Sequence, residues 1–284
     1  MTITFSLTNY RRAGLAIACI LISATAFAQV DTVYSNNQKI ACVVKEITPD
    51  AVKYTYPGED VVNSVYKNAV QKIVFKSGRV QTFAEATSYK KVINPSDFEN
   101  VTITAVEGEV RGLYKLGDVG AKAKGTTVLS NQERVKDRAY RKMKIQAAML
   151  GANIVYLTAQ RTEGNKWGTE YTAGSTTETN LTGVAYSNQL PDLEQFKKLI
   201  GSRTQFPIGY RYKLGASDSD LGIDELNKNF NIVSVNADNG IVKVTGFVDG
   251  ENNDTVYQLA GFSDKGFNVA YKKGATAYNI EVRL

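Results

Sequence analysis

The sequence predicts an α+β, multidomain chain. It places a small N-terminal β barrel or sandwich first, then a central α/β sandwich with one long helix, then a C-terminal antiparallel β domain. Three observations carry this. Short strand-like runs separated by turn residues fill 31–92 and again 203–284. One long apolar stripe at helical spacing lies between them, at 130–150. The length, 284 residues, exceeds what one core organises when domains run to about 100 residues.

Residues 1–28 read as a secretory signal peptide. Arg11 and Arg12 form the basic start, "AGLAIACILISATAFA" the apolar run, and Ala26-Phe27-Ala28 the small-residue cleavage site. The run has 16 residues, short of the roughly 20 that span a bilayer. Cys19 is a weaker, lipid-anchoring alternative within it, and the twin arginines lack the rest of a Tat motif. The expected location is therefore periplasm or cell surface. Cleavage lowers the net charge from +6 to +4, a mild value that argues against nucleic acid as a partner. It also leaves Cys42 as the one cysteine, so no disulfide forms within the mature chain.

The first domain, 29–93, opens the β part. "KIACVVKEI" at 39–47 is rich in β-branched residues, and "AVKYTY" at 51–56 places Val52, Tyr54 and Tyr56 on one face. "QKIVF" and "RVQTF" flank Lys76-Ser77-Gly78, a hairpin signal. Cys42 falls inside a strand pattern, where a free cysteine acts as a small core residue. Asp31, Ile40, Cys42, Val44, residues 46–50 and 52–54, Lys72, Ile73, Phe75 and residues 77–79 follow one pattern. That pattern resembles an N-terminal module of exported Bacteroidetes proteins. The resemblance implies compartment and lineage more than activity.

The second domain, 97–190, starts with "NVTITAV" and "VRGLYKL" as strands. The long helix follows, with Ser130 and Glu133 spaced as a capping box. Val135, Ala139, Met143, Ala147 and Leu150 form its apolar stripe. Arg134, Arg138, Arg141 and Lys142 lie roughly opposite, as a solvated face or a surface for anionic lipid or polysaccharide. Gly151 stops the helix in the left-handed conformation, and Asn153 is expected to pin the turn. "NIVYLTA" and "TGVAYS" read as neighbouring strands. The polar loop between them carries Trp167 and Tyr171, aromatics that either stack on sugar or a partner or anchor the loop. Ala147, Leu150, Gly151, Ala152, Asn153 and Val155, with Gly183 and Ala185 beyond, resemble small bacterial envelope domains. These are the heavy-metal-binding family of small α/β domains and the Rcs stress-sensor lipoprotein. The sensor's disulfide cysteines are absent here, and so is any Cys/His cluster for a soft metal, so metal binding is not carried over.

"LPDLEQFKKLIG" reads as a linker helix at 191–202. The third domain, 203–284, follows as six strand-like runs divided by Asn239-Gly240, Asp249-Gly250 and Asp264-Lys265-Gly266. Six strands fall below the about eight of membrane barrels, and charges punctuate both faces.

Histidine is absent from the whole chain, which excludes Ser-His-Asp, Cys-His and His-metal chemistry. "SDSDLGIDELN" at 217–227 and "DGENND" at 249–254 group oxygen ligands as calcium loops do. They miss the EF-hand spacing, however, and read as solvated turns. "DTV" at 31–33 and 254–256, with Thr32 and Thr255, is similar to the Bacteroidetes O-glycan acceptor pattern. No cofactor is expected. The favoured expectation is a non-enzymatic envelope binding, scaffold or stress-sensing protein, with an envelope protein or glycan as partner and oligomerisation open. The rival is a carboxylate hydrolase of envelope polymer, using Glu107 with Glu109 or Glu163 with Glu170.

Overall fold

The structure is a computed structural model that describes residues 30–35, 38–83, 89–127, 129–165, 167–168, 170, 173–251 and 253–284. The expected signal peptide, with Cys19, and Tyr171 lie outside the described residues. The chain is β-rich, with three sheets and few helices.

The first sheet is antiparallel and six-stranded. It contains β1 (Asp31–Ser35), β2 (Gln38–Ile47), β3 (Ala51–Thr55), β4 (Asn63–Tyr66), β5 (Val70–Val74) and β6 (Val80–Thr82), in the order β4-β3-β2-β1-β5-β6. Val33, Cys42, Val52, Tyr54, Val70 and Ile73 form its core. Tyr56, expected beside Val52 and Tyr54, is 40% exposed, because β3 ends at Thr55 and the alternation stops with it. Asp31 is buried, and its two carboxylate oxygens accept from the backbone N–H groups of Val44 and Lys76. One side chain thus ties β2 to the turn after β5.

The second sheet has β7 (Thr102–Thr104), β8 (Tyr114–Lys124), β9 (Ile154–Glu163) and β10 (Glu178–Ser187), in the order β7-β9-β10-β8. Only β7 and β9 run parallel; the pairs β9–β10 and β10–β8 are antiparallel. Helix α1 (Gln132–Met149) lies across this sheet. Its N-cap is Asn131, whose side chain accepts from Arg134 N–H. Ser130 is one residue too early for that role and instead caps a turn at Thr127, so the expected Ser130–Glu133 capping box does not form. The C-terminus matches expectation. Gly151 N–H donates to Ala148 O and Ala152 N–H to Ala147 O, with Gly151 at φ +78°, the paired bonds of a Schellman ending.

The stripe of Val135, Ala139, Met143 and Ala147 is buried against the second sheet, with Leu150 packed at its edge. A second face is buried too. Ile145 and Met149 pack with Tyr212, Leu214 and Ala277 of the third sheet. Met149 lies two helical turns after Lys142 and three after Arg138, so the basic face and this docking face coincide. The expectation of a solvated basic face is corrected at Lys142, which is 3% exposed.

The third unit begins with α2 (Leu193–Ile200) and continues through β11 (Gln205–Leu214), β12 (Gly222–Glu225), β13 (Asn229–Asp238), β14 (Ile241–Val248), β15 (Thr255–Phe262), β16 (Gly266–Lys273) and β17 (Thr276–Arg283). Strands β11 and β13 to β17 follow one another as a meander, and β11 pairs with β17 to close a six-stranded barrel. β12 adds to the free half of one β11 edge. The interior is filled by aromatics, with the Phe267 ring 5.2 Å from Phe196, 5.5 Å from Phe206 and 6.1 Å from Phe230. Helix α2 was expected as a linker. Phe196 and Ile200 are instead part of the barrel's core, because its apolar stripe finds its burial there. Among the described residues, no helix is long and apolar enough to cross a membrane.

Candidate functional site

The corner after α1 is where the three sheets come together. Gly151 sits against the β15 backbone, so close that a Cβ would overlap the Ala260 carbonyl oxygen. Asn279 Nδ2, fully buried on β17, donates to Met149 O at the end of α1. Asn268 Nδ2 donates to Ile93 O on the connecting segment. Asn94 Nδ2 donates to Glu281 Oε2 at 2.5 Å and to Tyr212 Oη at 3.0 Å, and Tyr212 Oη donates to the same carboxylate oxygen. These bonds satisfy the buried Nδ2 donors of Asn279 and Asn268 and the carbonyls they reach, each of which would otherwise cost about 1–3 kcal/mol, while Oδ1 of both asparagines is buried without a partner.

Around this corner lies a cleft of about 330 Å³. Gln71 comes from the first sheet, Asn153, Ser187 and Asn188 from the second, and Asp192, Gln195, Ala260 and Phe262 from the barrel unit. Tyr89 and Lys91 close it from the connecting segment. Asn153 Nδ2 donates to Asn188 Oδ1 at 2.6 Å, which ties the turn after α1 to the segment after β10, and Asn153 also lines the cleft. Burial, with the charge of Glu109 adding to it, raises the Tyr89 phenol above its usual value, so it stays neutral at physiological pH. Among the described residues Asp192 is the single carboxylate of the lining, and one of its oxygens accepts from Gln195 N–H as the N-cap of α2. Only Asn153 among these lining residues was singled out from the sequence. Of the other amides, Asn188, Gln189 and Gln195 cluster in one stretch of the chain and Gln71 lies far from them, and no motif spacing connects them.

The residues nominated from the sequence separate. Arg134 is exposed. Arg138 donates to Lys124 O at 2.9 Å. Arg141 pairs with Asp220 at 3.1 Å and Glu99 at 3.6 Å, with its guanidinium 4.5 Å over Phe98. Lys142 Nζ donates to Ala216 O at 2.8 Å and Lys122 O at 3.3 Å, and burial pushes its ammonium below the usual lysine range. Arg141 and Lys142 therefore fasten α1 to the 215–220 turn of the barrel unit. Trp167 is 85% exposed, on the 164–177 segment joining β9 to β10.

Four carboxylates of the suspected calcium loops are already engaged. Asp218 accepts from Gly215 N–H, Asp220 pairs with Arg141, and Asp224 pairs with Arg211. Asp249 accepts from Asn231 Nδ2 and from both the N–H and Nδ2 of Asn229, which holds its carboxyl below the usual range. Of the suspected catalytic pairs, Glu107 faces Arg111 at 3.7 Å and Glu163 pairs with Arg161. Cys42 is fully buried, and burial raises its thiol to about 11, too high for a nucleophilic thiolate at neutral pH.

No protein-family model, no curated protein and no solved structure matches the chain.

Proposed function

We propose that the protein is a non-enzymatic binding scaffold of the cell envelope, and that the junction cleft takes a neutral, polyhydroxylated ligand of the glycan type. The observation that carries this reading is the lining. Five side-chain amides, Gln71, Asn153, Asn188, Gln189 and Gln195, stand beside Tyr89 and Phe262. An amide both donates and accepts without charge, which suits hydroxyl groups. An aromatic ring offers an apolar face to a sugar ring. The signal-peptide pattern at 1–28 supports an envelope location.

The rival, a carboxylate hydrolase, needs two carboxyl groups about 5–10 Å apart across the scissile bond. Among the described residues the cleft lining offers Asp192 alone, and that side chain already serves as a helix cap. Calorimetric titration with soluble fragments of peptidoglycan and of envelope polysaccharide tests the proposal. Saturable binding is expected, weakened about tenfold by Gln71→Ala combined with Gln195→Ala, which corresponds to about 1.4 kcal/mol. New reducing ends appearing in the titrated sample would favour the hydrolase. An absence of binding would overturn the glycan reading.

A further inference from the structure

A second cleft, of about 210 Å³, lies between β8, α1 and the turn at 215–219, away from the amide-lined junction. Lys122, Lys124, Arg138 and Lys142 all line it, and among the described residues Asp218 is its only carboxylate. One oxygen of that carboxylate, Oδ2, accepts from Gly215 N–H at 2.6 Å, and its charge offsets part of that of Lys142. Lys142 is 3% exposed, and no carboxylate of the described residues lies within ion-pair distance of it. Two carbonyl oxygens hold its ammonium in place, and they offset only part of the cost of burying a charge. Lys122 is neutralised by Glu178 at 2.7 Å. Arg138 spends one nitrogen on the Lys124 carbonyl, and the Lys124 ammonium makes no ion pair among the described residues. The serine hydroxyl of Ser217 also borders the cleft.

We propose that this cleft is a phosphate-binding site, in which Lys124, Arg138 and Lys142 share the charge of one phosphate group and Ser217 donates to it. Arg138 supplies the planar fork that matches two phosphate oxygens, and the two lysines act as point charges. A phosphate there answers the excess positive charge gathered on α1 and β8. The group is either free phosphate or a phosphate ester on an envelope lipid, and both present the same oxygens. The site does not depend on the glycan reading, since it shares no lining residue with the junction cleft.

The test is calorimetric titration of the full chain with inorganic phosphate, against chloride at equal ionic strength. Lys124→Gln and Arg138→Gln replace each charge with a shorter neutral polar side chain at positions that are exposed and half-buried, so the fold survives. Saturable phosphate binding is expected, with the dissociation constant raised at least about tenfold in the double variant, one decade being about 1.4 kcal/mol. Absence of saturable binding, or equal affinity in the double variant, overturns the proposal. Sedimentation with phosphatidic acid vesicles, with phosphatidylcholine vesicles as control, then identifies the source. Vesicle binding competed by inorganic phosphate supports the site with a lipid phosphate as its ligand. Phosphate binding without vesicle binding supports the site with free phosphate. Vesicle binding in the absence of any phosphate binding overturns it.

Discussion

Replacing Gly151 with alanine tests whether the corner after α1 is the clasp between helix and barrel. Two separate costs act there. Gly151 has φ +78°, where a side chain costs about 1–2 kcal/mol. An added Cβ would also stand 2.8 Å from the Ala260 carbonyl carbon and 3.1 Å from its Cα. Comfortable carbon contacts begin near about 3.5 Å and the overlap with the Ala260 carbonyl oxygen is closer still, so β15 or the helix end must move by about 1 Å. Relieving such overpacking costs about 1–3 kcal/mol. The expected loss is therefore about 2–5 kcal/mol, a large share of a typical stability of about 5–15 kcal/mol. Gly78→Ala serves as the control. Gly78 has φ +82° with nothing within 4 Å of the added Cβ, so it carries the conformational cost of about 1–2 kcal/mol alone. Urea unfolding followed by circular dichroism reads both. Gly151→Ala falling no further than Gly78→Ala would refute the clasp.

Other predictions concern chemistry and packing elsewhere in the chain. Tyr54, Tyr212, Tyr257 and Tyr271 are each pushed up to about 12, chiefly by burial. The unfolded chain releases these protons near pH 10 and the folded chain keeps them, so the stability they contribute is full below pH 10 and lost as pH rises toward 12. Tyrosinate absorbance should show a late group of phenols that titrates together with loss of circular dichroism; a single transition near pH 10 in a still-folded chain would contradict this. With Cys19→Ser making Cys42 the sole thiol, alkylation should be slow in buffer and fast in denaturant, and rapid labelling of the native protein would contradict its burial. Asn279→Ala removes the donor to Met149 O, and the stranded carbonyl should cost about 1–3 kcal/mol by urea unfolding. A loss under about 0.5 kcal/mol, the range of ordinary surface changes, would remove that bond from the interface account.

Much of the fold is legible in the residues, and the gaps have physical causes. The Asn239-Gly240 turn announces β13 and β14 because both residues take positive φ, 49° and 81°. The end of α1 is legible at Gly151 for the same reason. β8 runs to Lys124, well past the "VRGLYKL" run. Its buried face after Gly117 consists of Val119, Ala121 and Ala123, small residues that carry little alternation signal. β12 hides in an acidic stretch because it lies outside the barrel wall, and all four of its residues are exposed. The second buried face of α1 hides for a different reason. Ile145 and Met149 share turns with Arg138 and Lys142, and amphipathic contrast marks the side that meets one core, not a side that meets a second protein surface through paired charges. The clefts are the least legible. Gln71 on β5 and Gln195 on α2 line one cleft from opposite ends of the chain, and packing of that range leaves no local spacing. Trp167, prominent in the sequence, stands far out on the segment joining β9 to β10, apart from either cleft lining.

The most direct test of the account is whether the three sheets hold the junction cleft preformed. Residual dipolar couplings of backbone amides in the three sheets, measured in one alignment medium, read their relative orientation in solution. The clasp at Gly151, the Asn279 and Asn268 bonds and the Asn94–Tyr212–Glu281 cluster predict one shared alignment tensor for the second sheet and the barrel, and Asn68 Nδ2, which donates to Gly108 O at 2.7 Å, extends that prediction to the first sheet. Tensors that differ in magnitude between the first sheet, the second sheet and the barrel would mean that these units reorient independently, and a cleft built from all three could not be the binding site.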